Sequence, residues 1–200
     1  MKNKKGFTLI ELLAVIVILG VLLAIAIPAV AKYINSAKKS TYVDNVQSYV
    51  KAARQEVLVN NSAYALPVAQ YDATIISFDT LSSALDNGGK TSSYGGTFKT
   101  NSYIVIVNEG TAEDPRYVYY IAAIDDKGYG IGKDASTPAA INYDSLKEYN
   151  IVQLGADNAG YAKVDVGSKI LVSTKTGESN GVATYTETNS PDGVTVRYSY

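Results

Sequence analysis

One acid stands where acids are rarely found. Glu11 opens an apolar run with no other charge from Leu12 to Ala31. A carboxylate in a hydrophobic helix costs up to about 3 kcal/mol at the middle of a bilayer and less near its edge, so it ordinarily marks a function. Just before it lie a short basic leader with Lys2, Lys4 and Lys5, and then Gly6 and Phe7. Elsewhere the chain holds little for chemistry. It has no His and no Cys, which removes histidine acid–base catalysis, thiolate nucleophiles and the main ligands of zinc sites. Ser36-Ala37-Lys38-Lys39 fits S-x-x-K and Lys175-Thr176-Gly177 fits K-T-G, two fragments of serine enzymes that recognise beta-lactams. The S-D-N element is missing, and Ser36 falls within about two turns of the presumed membrane, where no cleft is expected. Gly155 to Gly160 has P-loop spacing, but Tyr161 stands where the lysine belongs. Asp125, Asp126 and Asp157 could bind calcium, yet the calcium-loop pattern is absent and scattered loop acids are more often solvated. No enzyme, resident metal or cofactor is expected.

The element that positions Glu11 is a helix. Residues 7–59 are rich in Leu, Ala, Ile, Val, Lys and Gln, and their only breakers are Gly20 and Pro28. At 1.5 Å per residue such a helix is about 80 Å long. Its first half matches the roughly 20 apolar residues that cross a bilayer. Lys4 and Lys5 favour an N-in orientation, although Lys32, Lys38 and Lys39 flank the far side. Pro28 removes one backbone donor and crowds the preceding turn, so a kink or local unwinding is expected there. The apolar stripe then changes sides. Val30, Tyr33, Ile34 and Ala37 share one face; Val43, Val46, Tyr49, Val50, Ala53 and Val57 share the opposite one. A helix that meets sister subunits below and its own sheet above needs both.

At its start the chain resembles type IV pilins and the related pseudopilins. Lys5-Gly6-Phe7-Thr8-Leu9-Ile10-Glu11-Leu12-Leu13 is similar to their class III signal: Gly at the cut, Phe after it, an acid four residues on, then an unbroken apolar run. The resemblance covers the first sixty or so residues well and the remainder in outline. It implies that a prepilin peptidase cuts between Gly6 and Phe7, that the new amino group of Phe7 is N-methylated, and that Glu11 pairs with the amino terminus of a neighbouring subunit. Gly20 and Pro28 fall where such pilins carry helix-weakening residues. Many Gram-negative pilins carry a C-terminal disulfide loop; this chain has no Cys and departs from that, which points to a Gram-positive source. The competing reading of the N-terminus is a secretory signal peptide cut after Ala29-Val30-Ala31. Its apolar region would be too long and would contain Glu11.

The expected organisation is a leader (1–6), a helix (7–59, with 7–31 as membrane anchor and 32–59 as stalk) and a globular head (60–200). The fold class is α+β, a long helix packed on an antiparallel β-sheet. A head of about 140 residues is large enough to bury a core without disulfides. Its 17 Tyr against three Phe suit half-buried sheets and interfaces, where a ring packs and a hydroxyl stays wet. Residues 60–102 read as an irregular connection with one short helix, Asp79 as its N-cap, ending before Asn87-Gly88-Gly89. Tyr103–Val107, Tyr117–Ile124 and Tyr129–Ile131 read as a meander closed by a tight turn at Asp125-Asp126-Lys127-Gly128. A helical turn over Asp144–Tyr149 and four later strands follow, the last a half-buried edge strand at Val194–Tyr200.

Removing the leader lysines leaves the mature chain mildly acidic, which argues against a broad nucleic-acid-binding surface. The leading functional reading is a structural pilin. It would wait in the cytoplasmic membrane and be extracted by an assembly machine into a helical homopolymer for adhesion, surface motility or biofilm. A pseudopilin of a secretion or DNA-uptake machine shares the signal. A membrane-anchored domain that never polymerises is a third reading.

Overall fold

The computed structural model describes residues 6–59, 66–68, 70, 73–85, 89–99, 102–135 and 137–155, and the backbone of four later strands within 161–198. The chain divides into two compact units, Met1–Lys38 and Lys39–Tyr200. A single helix, α1 (Leu9–Val59), spans the division, and both Gly20 and Pro28 lie within it. Its 51 residues correspond to about 75 Å at 1.5 Å per residue. In the first unit α1 is exposed along its length among the described residues.

In the second unit α1 buries Tyr42, Val43, Val46, Tyr49, Val50, Ala52, Ala53 and Val57. These include every member of the stripe expected to face the sheet. Val30, Tyr33, Ile34 and Ala37 are exposed. The two stripes thus have different environments, as a helix with two sets of partners requires.

The strands are β1 (Ala73–Ser77), β2 (Tyr103–Asn108), β3 (Tyr117–Ala122), β4 (Tyr129–Asp134), β5 (Thr137–Pro138), β6 (Ile141–Asn142), β7 (Ile151–Gln153), β8 (Tyr161–Val166), β9 (Lys169–Ser179), β10 (Val182–Glu187) and β11 (Val196–Tyr198). They form one five-stranded sheet in the order β11-β1-β2-β3-β6 and two three-stranded sheets, β10-β9-β8 and β5-β4-β7. The fold class is the expected one, a long helix on a largely antiparallel sheet; the pairing of β1 with β11 is parallel. Successive side chains of a strand point to opposite faces, and the central strands use both. Ile76, Ile104, Ile106 and Ile121 join the helix stripe in one core. Ala73, Ile75, Tyr103, Val105, Val107, Tyr120 and Ala122 form a second core. Each large side chain so buried stabilises the fold by about 1.5–3 kcal/mol.

Three expectations need correction. The segment 60–102 holds a strand: Ala73–Ser77 lies inside the main sheet between β11 and β2, buried on both faces, so it shows no alternation to betray it. The short helix that follows, α2 (Phe78–Leu81), is capped by Ser77, whose hydroxyl accepts from the amide of Thr80; Asp79 sits in its first turn. The meander is kept only in part. β2 and β3 pair antiparallel, and across the turn the hairpin is kept only as an antiparallel bridge between Ile124 and Gly130, with the Ile131 amide donating to the Ala123 carbonyl at 2.8 Å; β4 makes its ladders with β5 and β7. The turn itself is as expected. The amide of Gly128 donates to the carbonyl of Asp125 at 3.0 Å, with Gly128 at φ 82°, a conformation that favours glycine. Two short 3-10 turns, Tyr143–Ser145 and Glu148–Asn150, occupy the expected helical stretch. The last strand is an edge strand of the main sheet.

Candidate processing and assembly site

The N-terminal segment is built from its backbone outward. Gly6, Phe7 and Thr8 precede the helix and are exposed, Phe7 at 90%. The helix starts at Leu9 because Thr8 and Glu11 close it. The Thr8 amide donates to Oε2 of Glu11 at 2.8 Å and the Thr8 hydroxyl donates to the same oxygen at 2.7 Å. The Glu11 amide in turn lies 3.3 Å from the Thr8 hydroxyl oxygen. This reciprocal arrangement is a capping box, which satisfies backbone donors left without partners in the first turn of any helix. The carboxylate also sits at the positive end of the helix dipole, where an anion is favoured.

Glu11 is therefore not loose in an apolar helix. It is held at the first turn, four residues beyond Phe7, with Oε2 engaged and the side chain exposed. Thr8 was the residue the sequence reading passed over. The spacing Thr8-x-x-Glu11 before an apolar run was the available signal.

Beyond Glu11 the helix presents Leu12, Leu13, Val15, Ile16, Val17, Ile18 and Leu19 to their surroundings, each more than half exposed. It is the one described helix long and apolar enough to cross a membrane. Gly20 has nothing within 4 Å of where a Cβ would stand, so no close packing within the chain demands glycine there. Ser36 and Lys38 are exposed on α1. Lys175, Thr176 and Gly177 lie in β9.

The acids considered for calcium do other work. Asp125 is fully buried and its carboxylate accepts from the Ser92 hydroxyl and from the amides of Lys127 and Tyr129. It is the brace of the β3–β4 turn. Asp126 accepts from the amide of Thr97 at 3.0 Å. Residues 156–160, Asp157 among them, lie outside the described residues. Among the described residues no group of three potential ligands is close enough to hold a metal ion.

The chain thus combines an exposed apolar helix that opens on a capped acid with an α+β head, and it can be set beside known proteins. Residues 1–27 match the prokaryotic N-terminal methylation motif. A fimbrial protein of Pseudomonas aeruginosa is 41% identical over 93 residues, 45% of this chain and 58% of that protein. A fimbrial protein of Moraxella nonliquefaciens is 47% identical over 58 residues, 28% of this chain and 38% of that protein. Fimbrial protein Q of Moraxella bovis is 51% identical over 43 residues, 22% of this chain and 27% of that protein. The aligned stretches thus span little more than half of these relatives at most. No solved structure is significantly similar to the chain. None of these relatives supports a Gram-positive source.

Proposed function

We propose that this chain is the structural subunit of a type IV pilus. The observation that carries this reading is the exposed, charge-free helix from Leu12 to Ala31, opened by Glu11 and preceded by an unwound Gly6–Phe7 bond. A prepilin peptidase cuts that bond, the amino group of Phe7 is methylated, and Glu11 receives the amino terminus of a neighbouring copy. Before assembly the helix anchors the subunit in the cytoplasmic membrane, N-terminus inside; after assembly sister helices replace lipid around it. Apolar surface then passes from one apolar solvent to another without meeting water, which removes the main obstacle to extraction. Gly20 and Pro28 lower the cost of bending or melting the helix as it packs. The partners are further copies of the chain, the peptidase and the pilus assembly machinery. The head forms the outside of the filament and makes contacts for adhesion, motility or biofilm.

The test is direct. Filaments sheared from cells expressing the gene are imaged by electron microscopy, and the first peptide of their subunit is read by mass spectrometry. A methylated Phe7 at the start of the filament subunit is the expected result. A chain beginning at Lys32 would establish a secretory signal instead. A chain beginning at Met1 that never associates would leave only a membrane-anchored domain. Short periplasmic assemblies in place of surface fibres would mark a pseudopilin.

A further inference from the structure

The chain has no Cys, so no disulfide can staple its head. Two of its tyrosines are placed for a different covalent closure. Tyr94 stacks on Tyr129 with ring centroids 3.7 Å apart and planes 6° from parallel. That is closer than the roughly 4.5–7 Å at which aromatic pairs ordinarily settle, so the surrounding backbone must hold the rings together. Both rings are half-buried, which leaves them within reach of a small solute.

One buried carboxylate fixes both residues. Tyr94 sits in a turn closed by the Gly95 amide on the Ser92 carbonyl at 2.9 Å and by the Ser92 amide on the Gly96 carbonyl at 2.7 Å. The Ser92 hydroxyl anchors that turn by donating to Asp125. On the other side, the Tyr129 amide donates to Oδ1 of the same Asp125 at 2.9 Å. The Tyr129 carbonyl accepts from the Tyr42 hydroxyl at 3.0 Å. Between these points the two segments are laced together. The Asp126 amide donates to the Thr97 carbonyl at 2.9 Å, the Lys99 amide to the Ile124 carbonyl at 2.8 Å, and Phe98 bridges Asp125. Neither backbone is free to carry its ring away, so the two phenols spend their time in contact.

We propose that Tyr94 and Tyr129 form a modification site, joined by one-electron oxidants into a dityrosine that staples the head. The oxidant is a diffusible one-electron acceptor. Two equivalents each remove one electron, and each phenol releases its hydroxyl proton to water. The two phenoxyl radicals couple through the ring carbons beside the hydroxyls. The hydrogen on each of those carbons then leaves as a proton while each oxygen takes one back, which restores both phenols. One C–C bond replaces two C–H bonds, and two electrons and two protons depart in all. The link closes a loop between positions 35 apart in the chain. Like a disulfide it takes entropy from the unfolded state, but thiols do not reverse it. The inference depends on the head alone and stands apart from the pilus reading.

Mild oxidation of the detergent-solubilised full-length chain tests it. A few equivalents of hexachloroiridate(IV) are added, and the protein is digested and read by tandem mass spectrometry. The expected product is a Tyr94–Tyr129 linked peptide pair, lighter by two hydrogen atoms, in a protein that still migrates as a single chain. Tyr94→Phe and Tyr129→Phe keep a ring in the stack and remove the hydroxyl. Each should lower dityrosine fluorescence at least tenfold under the same treatment. The oxidised wild-type chain should melt at least about 5 °C above the untreated one, a gain that neither Phe variant shows. Links confined to exposed tyrosines such as Tyr33 and Tyr149, or formed only between copies, would overturn the site. So would undiminished fluorescence in either Phe variant. A Tyr94–Tyr129 link that leaves the melting midpoint unchanged or lowers it would overturn the staple.

Discussion

Glu11 and Thr8 act on each other before any neighbour is present. The capping box holds one carboxylate oxygen against Thr8, so the acid is ordered at the helix start, where the proposed function has it receive a neighbour's amino terminus. Glu11→Ala is expected to leave membrane insertion unchanged, because the apolar run is untouched, while filament assembly is abolished. Membrane fractionation and electron microscopy of the same cells separate the two. Asp125 gives a second residue-scale prediction. Its carboxylate takes three donors in a buried position, and Asp125→Ala leaves all three without that acceptor. Buried donors without partners cost about 1–3 kcal/mol each before relaxation, so a loss of about 3 kcal/mol is expected in urea unfolding of the detergent-solubilised protein. Gly130 behaves similarly for a steric reason. A Cβ there would stand 2.6 Å from the carbonyl of Ala123 and 2.9 Å from Cδ1 of Leu154. Gly130→Ala should cost about 1–3 kcal/mol, as overpacking does. Thr8 and Asp125 show how far local spacing carries. The Thr8-x-x-Glu11 box was legible in four residues, whereas nothing near Asp125 in the chain announces Ser92, its partner 33 positions away.

At the scale of elements, the part of α1 in the second unit is fastened to that unit's other elements through aromatic rings. Tyr49 stacks on Phe78 with centroids 3.7 Å apart, Tyr42 meets Phe98 edge-on at 5.4 Å, and Tyr94 stacks on Tyr129 at 3.7 Å. Such pairs add about 0.5–1.5 kcal/mol each beyond their burial. On its exposed side, Arg54 lies over the rings of Tyr119 and Tyr143 at 4.5 and 5.0 Å, tying α1 to β3 and to the turn after β6. Arg54→Ala should destabilise the protein by about 1 kcal/mol. Burial holds the Tyr119 phenol above its ordinary value while Arg54 pulls it down. The same substitution should therefore raise it further, which an ultraviolet titration of the phenols reads directly.

For the molecule as a whole, these tyrosines set the alkaline limit of the head. Burial holds the Tyr42 phenol well above its ordinary value. Tyr49 is pushed up to about 12, by burial first and by the charge of Asp79 second. In the unfolded chain both titrate near pH 10. Above that pH the unfolded state sheds protons that the folded state keeps, so rising pH favours unfolding. Their contribution to stability is complete below about pH 10 and declines as pH climbs towards 12. Thermal melts between about pH 9 and 11.5 should show the midpoint fall by several degrees, and Tyr49→Phe should flatten part of that decline.

What the chain determined by itself was local. The helix, its charge-free run, the change of apolar face near Lys39 and the Asp125–Gly128 turn all rest on contacts between residues a few positions apart, and periodicity reports those. Even the edge position of the last strand could be read from its alternation. Tertiary structure decided what depends on distant partners. Ala73–Ser77 is a strand because β2 and β11 flank it. Tyr129–Asp134 keeps only a bridge to the run before it and finds its ladder with β7, some twenty residues later. A backbone hydrogen bond across a sheet has no signature in the spacing of either strand, so strand order waits for the fold.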